Sequence, residues 1–302
     1  MRGGLGVTVR ALVPILLLLA AVATAATFPG RNGAIIASGP PRDVTELETL
    51  VYLPADGGDP RVLGLGQLPA WSPQGKRLAY DDGKGLVVAS TDGYRLTSRR
   101  RLLRSPHGVH FWEAAWARHG RRLAYVSLDV HTDTSDIHTV RVSDGRRVQR
   151  LTYAKKGWSN EWPTFSPDGR WIAYTTCGPH SDACNLKLMR WNGSGQRVLV
   201  SAPPWRAFDP VWSRDGTRIG FSLCTLDRCT AWVLNLRTHE RRRIRGLSVE
   251  AFAPDGSGLV VFDTVKGRPE CGEGLFLTDL DGRNRVLLPG DCLAWADWQA
   301  LP

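Results

Sequence analysis

Five times along this chain an aromatic residue opens a short turn that ends in glycine. The copies are Trp71-Ser72-Pro73-Gln74-Gly75, Trp116-Ala117-Arg118-His119-Gly120, Phe165-Ser166-Pro167-Asp168-Gly169, Trp212-Ser213-Arg214-Asp215-Gly216 and Phe252-Ala253-Pro254-Asp255-Gly256. Their leading aromatics are 45, 49, 47 and 40 residues apart. An apolar run follows each turn: Arg77-Leu78-Ala79-Tyr80, Arg122-Leu123-Ala124-Tyr125, Trp171-Ile172-Ala173-Tyr174, Arg218-Ile219-Gly220-Phe221 and Leu259-Val260-Val261-Phe262. A third run usually closes on a glycine turn such as Asp92-Gly93, Asp144-Gly145 or Asp281-Gly282. An arginine-rich fourth run ends the unit, as in Arg147-Val148-Gln149-Arg150-Leu151-Thr152. Aspartate-glycine pairs suit tight hairpins, because glycine accepts their positive φ. A repeat near 45 residues built from four short strands is the pattern of a propeller blade.

The ends fix the expected count. Asn32-Gly33-Ala34-Ile35-Ile36-Ala37 match a turn and second strand, and Leu50-Val51-Tyr52-Leu53 and Pro60-Arg61-Val62-Leu63 supply strands three and four. This first unit lacks its opening strand. Ala294-Trp295-Ala296-Asp297-Trp298 at the other end resembles that strand, and Trp298 follows Phe252 by 46 residues. The expected fold is therefore all-β: a six-bladed propeller of four-stranded antiparallel blades, closed where N- and C-terminal strands share one blade. Closure also protects strand edges.

The first 25 residues read as a leader. Arg2 and Arg10 flank an apolar run, Ala11 to Ala23, and Ala23-Thr24-Ala25 offers a cleavage site. The run is short for a spanning helix, although an uncleaved anchor is the rival reading. Residues 26–302 then form the propeller. All six cysteines lie in the mature part, an even number that in an exported chain points to disulfides. The spacings suggest Cys177 with Cys184 and Cys224 with Cys229, leaving Cys271 and Cys292 to each other. The net charge is +10, of which Arg2 and Arg10 account for two, leaving +8. The arginines fall mainly in fourth strands, where charge on an outer edge discourages aggregation. Attraction to anionic polymers is the competing reading, but secretion fits poorly with a nucleic-acid role.

The repeated aromatic-serine-proline-aspartate-glycine turn with its apolar strand resembles the TolB-like repeat family. Phe165 to Tyr174 is the nearest copy, and Gln149-Arg150-Leu151-Thr152 matches the family's fourth-strand ending. The resemblance spans about residues 28–302 and implies a six-bladed propeller. TolB binds protein partners in the bacterial envelope, behind an N-terminal domain for which this chain has no room. Related propellers precede serine peptidases, but no Gly-x-Ser-x-Gly elbow occurs here.

In a propeller the loops between strands two and three share a face with the blade-to-blade links. All six cysteines map to that face, where bridges would stiffen loops for binding or simply stabilise them. Trp112, Trp158, Trp162 and Trp205 stand at or near the start of inner strands, placed either to anchor a partner or to wedge between blades. Glu113, Glu161, Asp209, Glu250 and Asp297 precede the turn aromatic by one to four residues, near the channel mouth. They either bind a cationic group or hydrogen-bond between blades. His107, His110, His131 and His180 lie in loops of the same face, but no coordination geometry follows from their spacing, so no metal or cofactor is expected. Asp129, Asp133 and Asp136 read as one loop with His131, without calcium-loop spacing. Asn192-Gly193-Ser194 reads as a turn. The leading expectation is a secreted or periplasmic monomeric scaffold that binds a protein or peptide through Trp112, Glu113, Trp158, Glu161, Trp162, Trp205, Asp209 and Glu250. A polysaccharide-acting lyase or hydrolase at the channel mouth is the alternative.

Overall fold

A computed structural model describes residues 31–40, 48–179, 183–225, 227–265, 272–290 and 292–301. The leader expected over residues 1–25 lies outside the described residues, as do His180 and Cys271. Among the described residues there are twenty-four β-strands and no α-helix. None of those residues forms a helix long and apolar enough to cross a membrane.

The strands group in fours. Strands β1 (Arg31–Gly39), β2 (Thr49–Leu53) and β3 (Arg61–Leu65) form a sheet with β24 (Ala294–Leu301), which pairs antiparallel with β1. Strands β4 (Gln67–Trp71), β5 (Arg77–Asp81), β6 (Leu86–Thr91) and β7 (Leu96–Arg101) form a second sheet. Three further meanders follow: β8 (Val109–Trp116) to β9 (Arg122–Asp129), β10 (Thr134–Arg141) and β11 (Gln149–Arg150); β12 (Ser159–Phe165) to β13 (Trp171–Cys177), β14 (Cys184–Arg190) and β15 (Arg197–Val200); and β16 (Arg206–Trp212) to β17 (Arg218–Cys224), β18 (Cys229–Asn235) and β19 (Arg241–Ile244). The last sheet holds β20 (Ser248–Phe252), β21 (Gly258–Thr264), β22 (Glu273–Asp279) and β23 (Val286–Leu287).

The three middle meanders are not separate sheets. Parallel bridges at Ser135↔Ser159 and Cys184↔Arg206 join them into one sheet of twelve strands. Each bridge lies where a third strand starts beside the next inner strand, close enough for backbones to pair.

The turn motif explains the hairpins. Ser166 Oγ accepts the Trp171 amide at 2.9 Å and donates to Asp168 Oδ1 at 2.6 Å. Ser213 repeats this with the Arg218 amide at 2.8 Å and Asp215 at 2.6 Å. Gly169 and Gly216 sit at φ +72° and +69°, which a Cβ would strain. The second strands are apolar on both faces because each sheet is covered on both sides. In β1, Ala34 and Ile36 pack with Trp71 and Tyr80, whereas Ile35 and Ala37 pack with Val260 and Trp298. Every pair of consecutive units shares such a buried cluster, and the last unit shares one with the first. Indole N–H groups tie neighbours further: Trp116 donates to the Ala70 carbonyl at 3.0 Å and Trp212 to that of Thr164 at 3.2 Å.

Two expectations need correction. Asp136 is not in a loop with Asp129 and Asp133; it lies on β10 and is buried. Its carboxylate accepts from Arg150, Thr152 and the Ala154 amide, which is why a charged side chain is tolerated inside. The fourth-strand arginines also do more than guard an edge. Arg99 and Arg101 pair with buried Asp82, Arg150 with Asp136, and Arg285 with Asp263.

Candidate functional site

The inner strands share one irregularity. Leu68, Glu113, Trp162, Asp209 and Trp295 have φ of 51°, 51°, 55°, 53° and 45°. Left-handed backbone is uncommon away from glycine. At all five positions the pairing with the second strand slips, between Gln67 and Ala70, Trp112 and Ala115, Glu161 and Thr164, Phe208 and Val211, and Ala294 and Asp297. These are β-bulges, which re-aim side chains. Each affected residue stands three positions before its turn aromatic.

The bulged segments surround a neck of about 180 Å³, lined by residues of β4, β8, β12, β16, β20 and β24. Glu113, Asp209, Glu250 and Asp297 line it. Three of these latch one unit to the next: Glu113 accepts the Trp162 amide at 2.6 Å, Glu250 the Ala296 amide at 3.3 Å, and Asp297 the Trp71 amide. Glu161 does not line the neck and accepts from Ser135 Oγ at 2.8 Å. Asp209 Oδ1 is buried without a hydrogen bond; Ser222 is a neighbouring donor, yet its hydroxyl is also unpaired.

Crowding acids at a neck makes their charges costly. Burial, then the charges of Glu250 and Glu161, pushes the Asp209 carboxyl up to about 8. Burial raises Asp297 to about 7 and also raises Glu250. Glu113 lies well above the usual carboxyl range through burial and the neighbouring Glu161 and Asp209 charges. The neck therefore holds protons at neutral pH or accepts positive charge.

Above it opens a mouth cleft of about 740 Å³. Trp162, Asp209, Glu250 and Trp295 line both spaces. Phe208, Phe262, Glu273 and Arg206 add to the cleft wall, with Cys224, Cys229 and Cys292. Cys177–Cys184 and Cys224–Cys229 are disulfides between directly opposed strand ends. Cys292 is also disulfide-bonded, and its expected partner Cys271 lies outside the described residues.

Of the tryptophans singled out from sequence, only Trp162 lines the neck and cleft. Trp158 and Trp205 are exposed at the same end, beside the disulfide-bearing strand ends. Trp112 is half-buried with an unpaired indole N–H. Trp295, Phe208, Phe262 and Glu273 were missed, although Trp295 occupies the same repeat position as Trp162, three before the turn aromatic. His107 and His131 stack at 6.3 Å, away from the cleft wall. Among the described residues no group of three or more His, Cys, Asp or Glu side chains is placed to hold a metal ion.

No family model matches the chain. The structure superposes on TolB from Acinetobacter baumannii with a TM-score of 0.72, at 17% identity, over 89% of this chain and 67% of that one. The fold is that of a TolB-like β-propeller. Putative TolB from Agrobacterium tumefaciens matches at TM-score 0.57 and 18% identity, over 74% of this chain and 87% of that one. An oligogalacturonate lyase in complex with manganese matches at TM-score 0.57 and 15% identity, over 80% of this chain and 71% of that one. In this TolB-like propeller the four-stranded units are blades, and the mouth cleft lies at the disulfide-bearing end of the inner strands.

Proposed function

We propose that this chain is an exported, monomeric binding module: a six-bladed propeller, closed by β24 on β1, that engages a protein or peptide through its disulfide-bearing face. Support for closure comes from the buried cluster shared by last and first blades. Support for export comes from the leader-like first 25 residues and from two disulfides, which persist in oxidising compartments. The observation that carries the binding reading is the mouth cleft itself. Its aromatic walls stand between bridged strand ends, so little order has to be gained on binding. The exposed Trp158 and Trp205 beside it extend the aromatic surface.

The test is affinity capture on immobilised residues 26–302, made in an oxidising compartment. Two folded double variants run beside the wild type: Trp162→Ala with Trp295→Ala, and Trp158→Ala with Trp205→Ala. A partner held by the wild type is expected to be lost from the first and weakened on the second. A partner retained equally by both would place binding elsewhere.

A second reading is a polysaccharide-acting enzyme. It draws on the Asp209 and Asp297 carboxyls, which at about 8 and about 7 keep a proton to donate at neutral pH. The likeness to an oligogalacturonate lyase names a substrate to try. Incubation with oligogalacturonate, with and without manganese, should yield ultraviolet-absorbing unsaturated ends if this reading holds. Unchanged substrate removes that activity.

A further inference from the structure

The mouth cleft combines two kinds of wall. Trp162, Trp295, Phe208 and Phe262 supply aromatic surface, while Asp209, Glu250 and Glu273 supply carboxyl groups. Aromatic faces attract organic cations such as ammonium and guanidinium groups. The acids differ in what they still need. Glu250 is satisfied, since Ser248 Oγ donates to one oxygen and the Ala296 amide to the other. Asp209 Oδ1 makes no hydrogen bond, and the one donor beside it, the Ser222 hydroxyl, is itself unpaired. A buried acceptor without a partner is costly, and a charged donor relieves that cost more than a neutral one.

The depth of each group follows from the strand register. Arg206 is at the outer end of β16, opposite Cys224 of the bridged hairpin. Asp209 lies three residues further in, at the junction with the neck. Glu273 lies opposite Thr264 at the outer end of β22. An incoming side chain thus passes Glu273 and Arg206 before reaching Asp209. Arg206 can donate to a backbone carbonyl at the entrance, but its charge disfavours a cation only at that outer level. About 740 Å³ is far more than one bare ion occupies and suits a long side chain with part of its backbone.

We propose that the cleft takes a basic side chain, lysine or arginine, from a peptide segment of the partner. Its cationic end meets Asp209, and its alkyl stem lies along Trp162 and Trp295. This rests on the protein-binding reading above and gives that partner a chemistry.

The probes are two blocked tripeptides, Gly-Lys-Gly and Gly-norleucine-Gly, which differ only in the terminal ammonium. Binding is read from the indole N–H signals of Trp162 and Trp295, assigned by their loss in Trp162→Phe and Trp295→Phe. The lysine peptide should shift both signals saturably and bind at least about tenfold tighter than the norleucine peptide. Asp209→Asn, which keeps shape and removes the carboxyl that ionises against a cation, should abolish most of that difference while leaving a cooperative unfolding transition. Equal binding of the two peptides, or full lysine preference in Asp209→Asn, overturns the proposal. A captured partner that binds Asp209→Asn as tightly as wild type also overturns it, yet leaves the binding module intact. Lysine preference with no protein captured supports the cleft chemistry and counts against the module.

Discussion

The Asp136 carboxylate sits in the interior of β10 and accepts hydrogen bonds from Arg150, Thr152, Asn160 and the Ala154 amide. Removing it leaves a cation and several donors facing each other without an acceptor. Asp136→Ala should cost about 3–5 kcal/mol, read by chemical denaturation, and Asp136→Asn clearly less. A cost within error of zero would show that the network is not needed for stability. This residue also shows where sequence reading stops. Thr134-Ser135-Asp136 is polar, and the usual inference is a loop; only the facing Arg150 and Asn160, brought in from other strands, make the site a strand interior. Trp295 failed for a different reason. Its repeat position was visible, but position alone does not say that the backbone there turns left-handed and lines the cleft.

At the scale of strands, the apolar second strands and the serine-glycine turns were legible because their cause is local. The serine caps its own hairpin, and the flanking sheets bury both faces of the strand that leaves it. Bulges in the inner strands were not legible, since the left-handed position is occupied by leucine, glutamate, tryptophan and aspartate alike. The role of β24 was legible from the repeat count and makes a sharp prediction. Deleting residues 294–302 removes one of the two neighbours of β1 and takes Trp298 out of a shared buried cluster. The truncated chain should lose its near-ultraviolet dichroism and its cooperative thermal transition. Adding the missing strand as a synthetic peptide should restore part of both. A truncated chain that melts at the wild-type temperature would remove β24 from the stabilising framework.

Across the whole molecule, the neck makes stability depend on pH. In the folded chain Asp209 and Asp297 titrate at about 8 and about 7, against 3.8 for the free side chain. The folded state therefore keeps protons that the unfolded chain releases. The stability they contribute is complete below about pH 4 and is lost as pH rises towards about 8. Carboxylates such as Asp82 and Asp215 run the other way: their lowered values mean stability lost on acidification. The unfolding temperature should thus fall between about pH 6 and pH 8, and Asp209→Asn should flatten that fall. Identical slopes in the two proteins would show that Asp209 does not carry the effect. The pairing of β24 with β1 has a further consequence, in time rather than in energy. A ribosome delivers β1 and β2 long before β24, so β1 gains one neighbour at once and waits more than 250 residues of synthesis for the other. Until the eight residues of β24 emerge, that sheet has an open flank, and a chain terminated before them is prey for proteases rather than a smaller working version.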